Sequence, residues 1–250
     1  MKLYSTIIII FLAFYFEPAN CQNTSSSTFV IVHGTWGGGW AWKKVDSLLS
    51  ASGNIVYRPT LTGLGERAHL SSAKISLNTH ISDIVNTILY EDLYNVVLVG
   101  HSYGGMVITG VADRIPERMA ELIYVDAALP EAGESVISMS GNLVLGFKIE
   151  NGLIIPPWVS EGKVPPKDVP HPINTWVDNI SLTNPKRLQI PGTYILTVDK
   201  GKKPENDDFY SQYERAVGKE WTVMELESDH NPQWSAPTKL SNMLKGNSKK

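Results

Sequence analysis

Six short runs in this chain are apolar almost without interruption: "TFVIVH" (28–33), "NIVYR" (54–58), "NVVLV" (95–99), "LIYVD" (122–126), "GTYILTV" (192–198) and "WTVMEL" (221–226). A strand with one wet face alternates apolar and polar residues, so runs of this kind suit strands covered on both sides. Helical patterns separate most of them. "GWAWKKVDSLLSASG" stops on Gly53, and the stretch 78–93 carries Ile81, Ile84, Val85, Ile88 and Leu89 at helical spacing. A further helix is expected from Tyr103 to near Pro116. Strand and helix in alternation predict an α/β fold, a mostly parallel, doubly wound sheet of about six strands.

The rhythm loosens between Pro130 and Pro191, where prolines gather at 156, 157, 165, 166, 170 and 172. Leu143, Leu145, Phe147, Ile154, Ile155, Trp158 and Trp176 make this stretch too apolar for a solvated linker. It is expected to be a small cap, about 130–191, inserted in one domain covering 28–250. A length of 250 residues and a formal charge of −3 fit one large globular domain and argue against a nucleic-acid surface. The lysine-bearing tail 245–250 is expected to be a solvated end.

The first residues read as a leader. Lys2 is followed by the apolar "IIIIFLAFYF" (7–16) and the polar "EPANC" (17–21), the build of a secretory signal peptide, too short to span a membrane in the mature protein. Ala19 and Cys21 are small enough for the −3 and −1 positions, which puts cleavage before Gln22. Lipidation at Cys21, or retention as a signal anchor, is the competing reading. Cys21 is the only cysteine, so a secreted or periplasmic mature chain would have no disulfide. Asn23 and Asn179 each begin an N-glycosylation triplet.

The run 96–110, "VVLVGHSYGGMVITG", carries the chemistry. Ser102 stands between Gly100 and Gly104 where a strand meets a helix, the setting of a nucleophile elbow. A serine hydroxyl is a weak nucleophile at neutral pH and needs an adjacent base. An oxyanion site must accompany it. One donor is expected from the N–H of Tyr103 and the other from the N–H of Thr35, in the Gly-rich loop "VHGTWGGGWAW" (32–42). That loop lacks the Lys-Ser/Thr ending of a phosphate cradle and the spacing of the dinucleotide fingerprint.

Six histidines are candidates for the base. His33 and His101 lie inside the two motifs and are expected to orient backbone. His80 opens a helix, His171 sits among cap prolines, and His69 follows a Gly-rich loop. His230, in "ESDHNPQW" after the last strand, occupies the place that the order Ser, Asp, His requires. For the acid, Asp199 and Asp126 each end an apolar strand, and both stay open on the residues alone.

These motifs resemble the α/β-hydrolase superfamily, in particular its group of plant methylesterases, hydroxynitrile lyases and small bacterial carboxylesterases. "FVIVHGTWGGGWAWKKV", "PTLTGLGER", "VVLVGHSYGGMVITG", "TVDKG" and "ESDHNP" carry the likeness, which runs over nearly the whole chain after Thr28. The resemblance implies a triad of Ser102, Asp199 and His230 with oxyanion donors Thr35 and Tyr103. The Asp-Lys-Gly string at 199–201 ranks Asp199 ahead of Asp126. Hydroxynitrile lyases of the group carry Glu before the nucleophile and Lys after the histidine. Here His101 and Asn231 stand there, which turns the expectation from cyanide release to ester hydrolysis.

The function expected is therefore a serine carboxylesterase acting on a small-molecule ester, with no metal or other cofactor. Trp36, Trp158 and Trp176 are candidate walls of the substrate space. A ligand-binding protein on the same scaffold is the competing class.

Overall fold

The computed structural model describes residues 26–141 and 146–247. Strand β1 (Thr28–Val32) leads through a Gly-rich loop and a 3-10 turn into helix α1 (Lys43–Ser50), followed by β2 (Ile55–Tyr57). Helix α2 (Leu77–Tyr90) starts at a capping box. Ser76 accepts from the Thr79 N–H, and the Thr79 hydroxyl reaches back to the Ser76 N–H. Then come β3 (Val96–Ser102), α3 (Gly104–Arg114) and β4 (Met119–Ala127). After β4 the chain forms α4 (Val136–Ser140), the short antiparallel strands β5 (Ile149–Glu150), β6 (Leu153–Ile154) and β7 (His171–Pro172), and α5 (Asn174–Val177). It returns to the main sheet with β8 (Gly192–Val198), α6 (Tyr210–Gly218) and β9 (Thr222–Glu227), and ends with α7 (Pro232–Ser235) and α8 (Pro237–Asn247).

The main sheet has the order β2-β1-β3-β4-β8-β9, and every pair in it is parallel. Alternate side chains along each strand feed two cores. Val30, Val32, Val96, Leu98, Leu122, Tyr124, Tyr194 and Leu196 point to the side of α2, α3 and α6. Phe29, Ile31, Val97, Val99, Ile123, Val125 and Ile195 point to α1 and α8, meeting Val45, Leu49, Leu240 and Leu244. Full burial of each such side chain contributes about 1.5–3 kcal/mol, so both sheet faces must be covered, as the uninterrupted apolar runs required.

The expected sheet is thus present with six strands, all parallel. The loose proline-bearing stretch is ordered where described, with two-residue strands too short for a periodicity to reveal. The leader, the Asn23 triplet, Leu143 and Leu145 lie outside the described residues. Among the described residues no helix is long and apolar enough to cross a membrane.

Candidate active site

The site forms at the carboxyl ends of β1, β3, β4 and β9, the edge of an open α/β sheet where ligands bind. Ser102 is the last residue of β3 and has φ of 53°, a left-handed conformation that costs about 1–3 kcal/mol for a residue with a Cβ. The neighbouring chain leaves no room at the flanking glycines. A Cβ on Gly100 would lie 2.8 Å from the carbonyl oxygen of Gly104, and one on Gly104 2.5 Å from that of Val32. These contacts set the sharp turn that lifts the Ser102 hydroxyl above the sheet.

His230 meets Ser102. Its Nε2 lies 3.0 Å from Ser102 Oγ, and its Nδ1 donates to Asp126 Oδ2 at 2.6 Å. Two more neighbours, His101 and Phe209, hold the residue in place. His101 Nε2 donates to the His230 carbonyl at 2.7 Å, Phe209 stacks on the imidazole at 5.1 Å with the planes 5° apart, and His101 itself lies alongside it. Burial disfavours the charged imidazole. The bond and charge of Asp126, with Asp207 and Asp208 nearby, outweigh burial and hold the pKa above the ordinary value of 6.5.

The carboxylate bonded to this histidine is Asp126, and the expectation of Asp199 at that place is corrected by the geometry. Asp199 is half-buried, away from this histidine, and pairs with Lys202 Nζ at 2.6 Å. The reason lies in the register of β3 and β4. His101 pairs with Val125 and Ser102 with Ala127, so Asp126 is an extra residue bulged out of the ladder, with φ of 46°. The bulge aims a buried carboxylate along the sheet edge instead of across it. Its other oxygen accepts from the Thr197 N–H at 3.1 Å. Strand β4 lies directly beside β3, whereas β8, which precedes Asp199, is one strand further away.

Thr35 and Tyr103 both line the cavity that contains Ser102 and His230. His33 grips the loop that carries Thr35: its Nδ1 donates to the Gly34 carbonyl at 2.8 Å, and its Nε2 accepts from the Leu61 N–H at 3.1 Å. Burial pushes its pKa down to about 4, that of His101 down to about 3, and that of His80 down to about 4, so all three rings are neutral. His80 had no role in the sequence reading, yet its Nε2 donates to the Thr62 carbonyl and its Nδ1 accepts from the Tyr103 hydroxyl at 2.9 Å. His69 is exposed and lines neither of the two cavities that reach Ser102.

Of these cavities, one of about 380 Å³ runs under the cap between Trp36, Met139, Phe147, Trp176 and Phe209, with Asp207 also in its lining. Asp207 is raised to about 6 by burial and by the neighbouring charge of Asp126. No motif in the sequence marked Asp207, Asp208 or Phe209. The other cavity, about 470 Å³, opens past Trp40, Trp158, Trp234, Lys163 and Lys167. Of the three tryptophans expected as walls, Trp36 and Trp176 line the first and Trp158 the second. Trp36 joins all three, packing against Trp158 at 4.8 Å and Trp176 at 5.8 Å. Among the described residues no group of three His, Cys, Asp or Glu side chains could hold a metal ion.

The chain is similar to named hydrolases. It is 50% identical over 113 residues to a carbendazim hydrolyzing esterase of Nocardioides sp., a match covering 45% of this chain and 47% of that protein. For the first such relatives the match spans under half of the relative's length. It is 28% identical to methylesterase 17 of Arabidopsis thaliana across 86% of this chain and 89% of that one. The fold superposes on an extracellular alpha/beta-hydrolase from a Paenibacillus species with a TM-score of 0.72, at 23% identity over 87% of this chain and 97% of the other. Residues 29–242 match the alpha/beta hydrolase family as a whole, and the chain belongs to that family.

Proposed function

We propose that this protein is a serine esterase that cleaves small carboxylic esters through an acyl-enzyme, with Ser102 as nucleophile, His230 as base and Asp126 as the acid that orients it. The observation that carries the reading is the unbroken chain from Ser102 Oγ through His230 to Asp126, at 3.0 and 2.6 Å. With its Nδ1–H held by a carboxylate, His230 has a free lone pair on Nε2, and that lone pair faces the serine proton.

In the first half of the reaction Ser102 Oγ attacks the ester carbonyl carbon while His230 Nε2 takes the hydroxyl proton. The carbonyl oxygen becomes an oxyanion, received by the N–H groups of Thr35 and Tyr103. The imidazolium then gives its proton to the alcohol oxygen as the carbon–oxygen bond breaks. In the second half, water attacks the acyl carbon as His230 takes its proton, and His230 returns that proton to Ser102 Oγ as the bond from Oγ to the acyl carbon breaks and the carboxylic acid leaves. Loss of one oxyanion donor costs on the order of a hundred- to a thousandfold in such reactions. The largely apolar cavity under the cap suits the acyl group. The names of the relatives, an esterase and methylesterases, support esters of small alcohols as the substrate class. Export of the mature chain rests on the sequence of its first 21 residues.

Incubation with a fluorophosphonate probe tests the reading. Stoichiometric labelling at Ser102, together with turnover of p-nitrophenyl acetate, is the expected result. An unlabelled, inert chain that still binds ester-like ligands would identify a binding protein on this scaffold instead.

A further inference from the structure

Thr35 carries one of the two proposed oxyanion donors, and the residue after it is strained. Trp36 has φ of 64° and is the centre of a γ-turn, closed by the Gly37 N–H donating to the Thr35 carbonyl at 2.8 Å. A turn of this hand is rare, and it persists only where surrounding contacts over-determine it. Those contacts come from the cap. The Val169 N–H donates to the Trp36 carbonyl at 3.0 Å, and the Trp36 indole donates to the Ile154 carbonyl at 3.0 Å. The Trp176 indole donates to Thr35 Oγ1 at 3.3 Å, and the Trp36 backbone N–H donates to His171 Nδ1 at 3.3 Å.

The protons on this side of the site can be followed one by one. The Thr175 hydroxyl donates to the Pro172 carbonyl at 2.8 Å, so its oxygen is left to accept from His171 Nε2–H at 2.7 Å. With that proton on Nε2, a neutral His171 has only a lone pair on Nδ1, and the lone pair meets Trp36 N–H. Burial, with His80 and His33 close by, pushes the His171 pKa well down and keeps the ring neutral. The two peptide planes flanking Thr35 are thus each held by a histidine. His33 binds the Gly34 carbonyl of the first plane, and His171 binds the Trp36 N–H of the second.

We propose that His171 of the cap is a positioning residue, which fixes the γ-turn at Trp36 and through it aims the Thr35 N–H at the oxyanion. The inference rests on the esterase reading of Ser102. It makes the cap part of the catalytic frame as well as a wall for substrate.

Two substitutions separate this role from simple packing, made in the full chain. In His171→Asn the side-chain oxygen takes the place of Nδ1 and can still accept from Trp36 N–H. In His171→Gln the amide reaches Thr175 but leaves Trp36 N–H without an acceptor. His171→Gln is expected to lower kcat for p-nitrophenyl acetate about ten- to a hundredfold, the scale set by small misplacements of catalytic groups, with KM within about twofold. A trifluoromethyl ketone, whose hemiketal oxygen would sit on the same donors, should bind more weakly in proportion. His171→Asn should keep kcat within about threefold of the parent, and the Trp36 amide should exchange hydrogen faster in the Gln variant alone. Should His171→Gln fail to fold, His171→Phe serves, because it keeps a ring in the same place and leaves Trp36 N–H without an acceptor. A several-fold loss of kcat at constant KM is then expected, and no loss would overturn the proposal. Equal losses in the Asn and Gln variants, or a change confined to KM, would also overturn it while wild-type labelling at Ser102 stands. A wild-type chain inert to both ester and fluorophosphonate would instead overturn the esterase reading, and the oxyanion role of His171 with it.

Discussion

Asp126→Asn gives the most demanding test of the proposed site, because the surroundings dictate which way the new amide must face. One carboxylate oxygen of Asp126 accepts from the Thr197 N–H at 3.1 Å and the other from His230 Nδ1 at 2.6 Å. The Thr197 donor is backbone and cannot turn away, so the Asn oxygen must face it. The Asn NH2 then faces His230, which must move its proton to Nε2, and the ring can no longer take the Ser102 proton. Reversing the amide restores the tautomer but sets two donors against each other in a buried place, at about 1–3 kcal/mol. Either way the charge opposite the developing imidazolium is gone, worth about 1.5–3 kcal/mol more for a hydrogen bond to a charged group. Together these predict a loss in kcat on the order of 10²- to 10⁴-fold, the upper end matching the loss of a triad acid's charge elsewhere. Asp199→Asn removes only an exposed pair with Lys202 and should leave kcat within about twofold. Both are measured by steady-state hydrolysis of p-nitrophenyl acetate, with circular dichroism to establish folding. A folded Asp126→Asn enzyme within tenfold of the parent, or a larger loss from Asp199→Asn, would refute the assignment.

Further expectations concern pH, packing and processing. The base must be neutral, so kcat/KM should rise with pH through a pKa above the ordinary histidine value. Asp207→Asn, by removing a negative charge that favours the imidazolium, should move that limb to lower pH in a pH–rate profile. Gly104→Ala would press a Cβ to 2.5 Å from the Val32 carbonyl oxygen. It should destabilise the fold by about 1–3 kcal/mol in urea titration, the usual cost of overpacking, with a loss of activity from the displaced elbow. If the leader is cleaved as its sequence suggests, amino-terminal sequencing of exported protein should begin at Gln22.

The sheet was legible because burial on both faces marks its four central strands, and the partly exposed edge strands β2 and β9 keep enough apolar residues to be read beside them. Ser102 and His230 were legible because each follows such a run. The acid was not, since two aspartates end strands and composition does not record a register shift. What distinguishes Asp126 is the one residue by which β4 outruns β3 at His101 and Ser102. The cap histidine was invisible for a related reason. His171 sits among prolines with no periodicity, and its contact with Trp36 joins residues 135 positions apart. Asp207 and Phe209 likewise come from an irregular stretch between β8 and α6, whose only signal is that it lies on the right edge of the sheet.

The bond between Ser102 and His230 closes a loop of 128 residues, and that between Asp126 and His230 one of 104. Neither can form until the central strands have found their order, and contacts so distant along the chain are slow to assemble. During refolding, hydrolytic activity should therefore lag behind recovery of secondary structure. Unfolding that frays the last strand alone should silence the enzyme while most of the core survives.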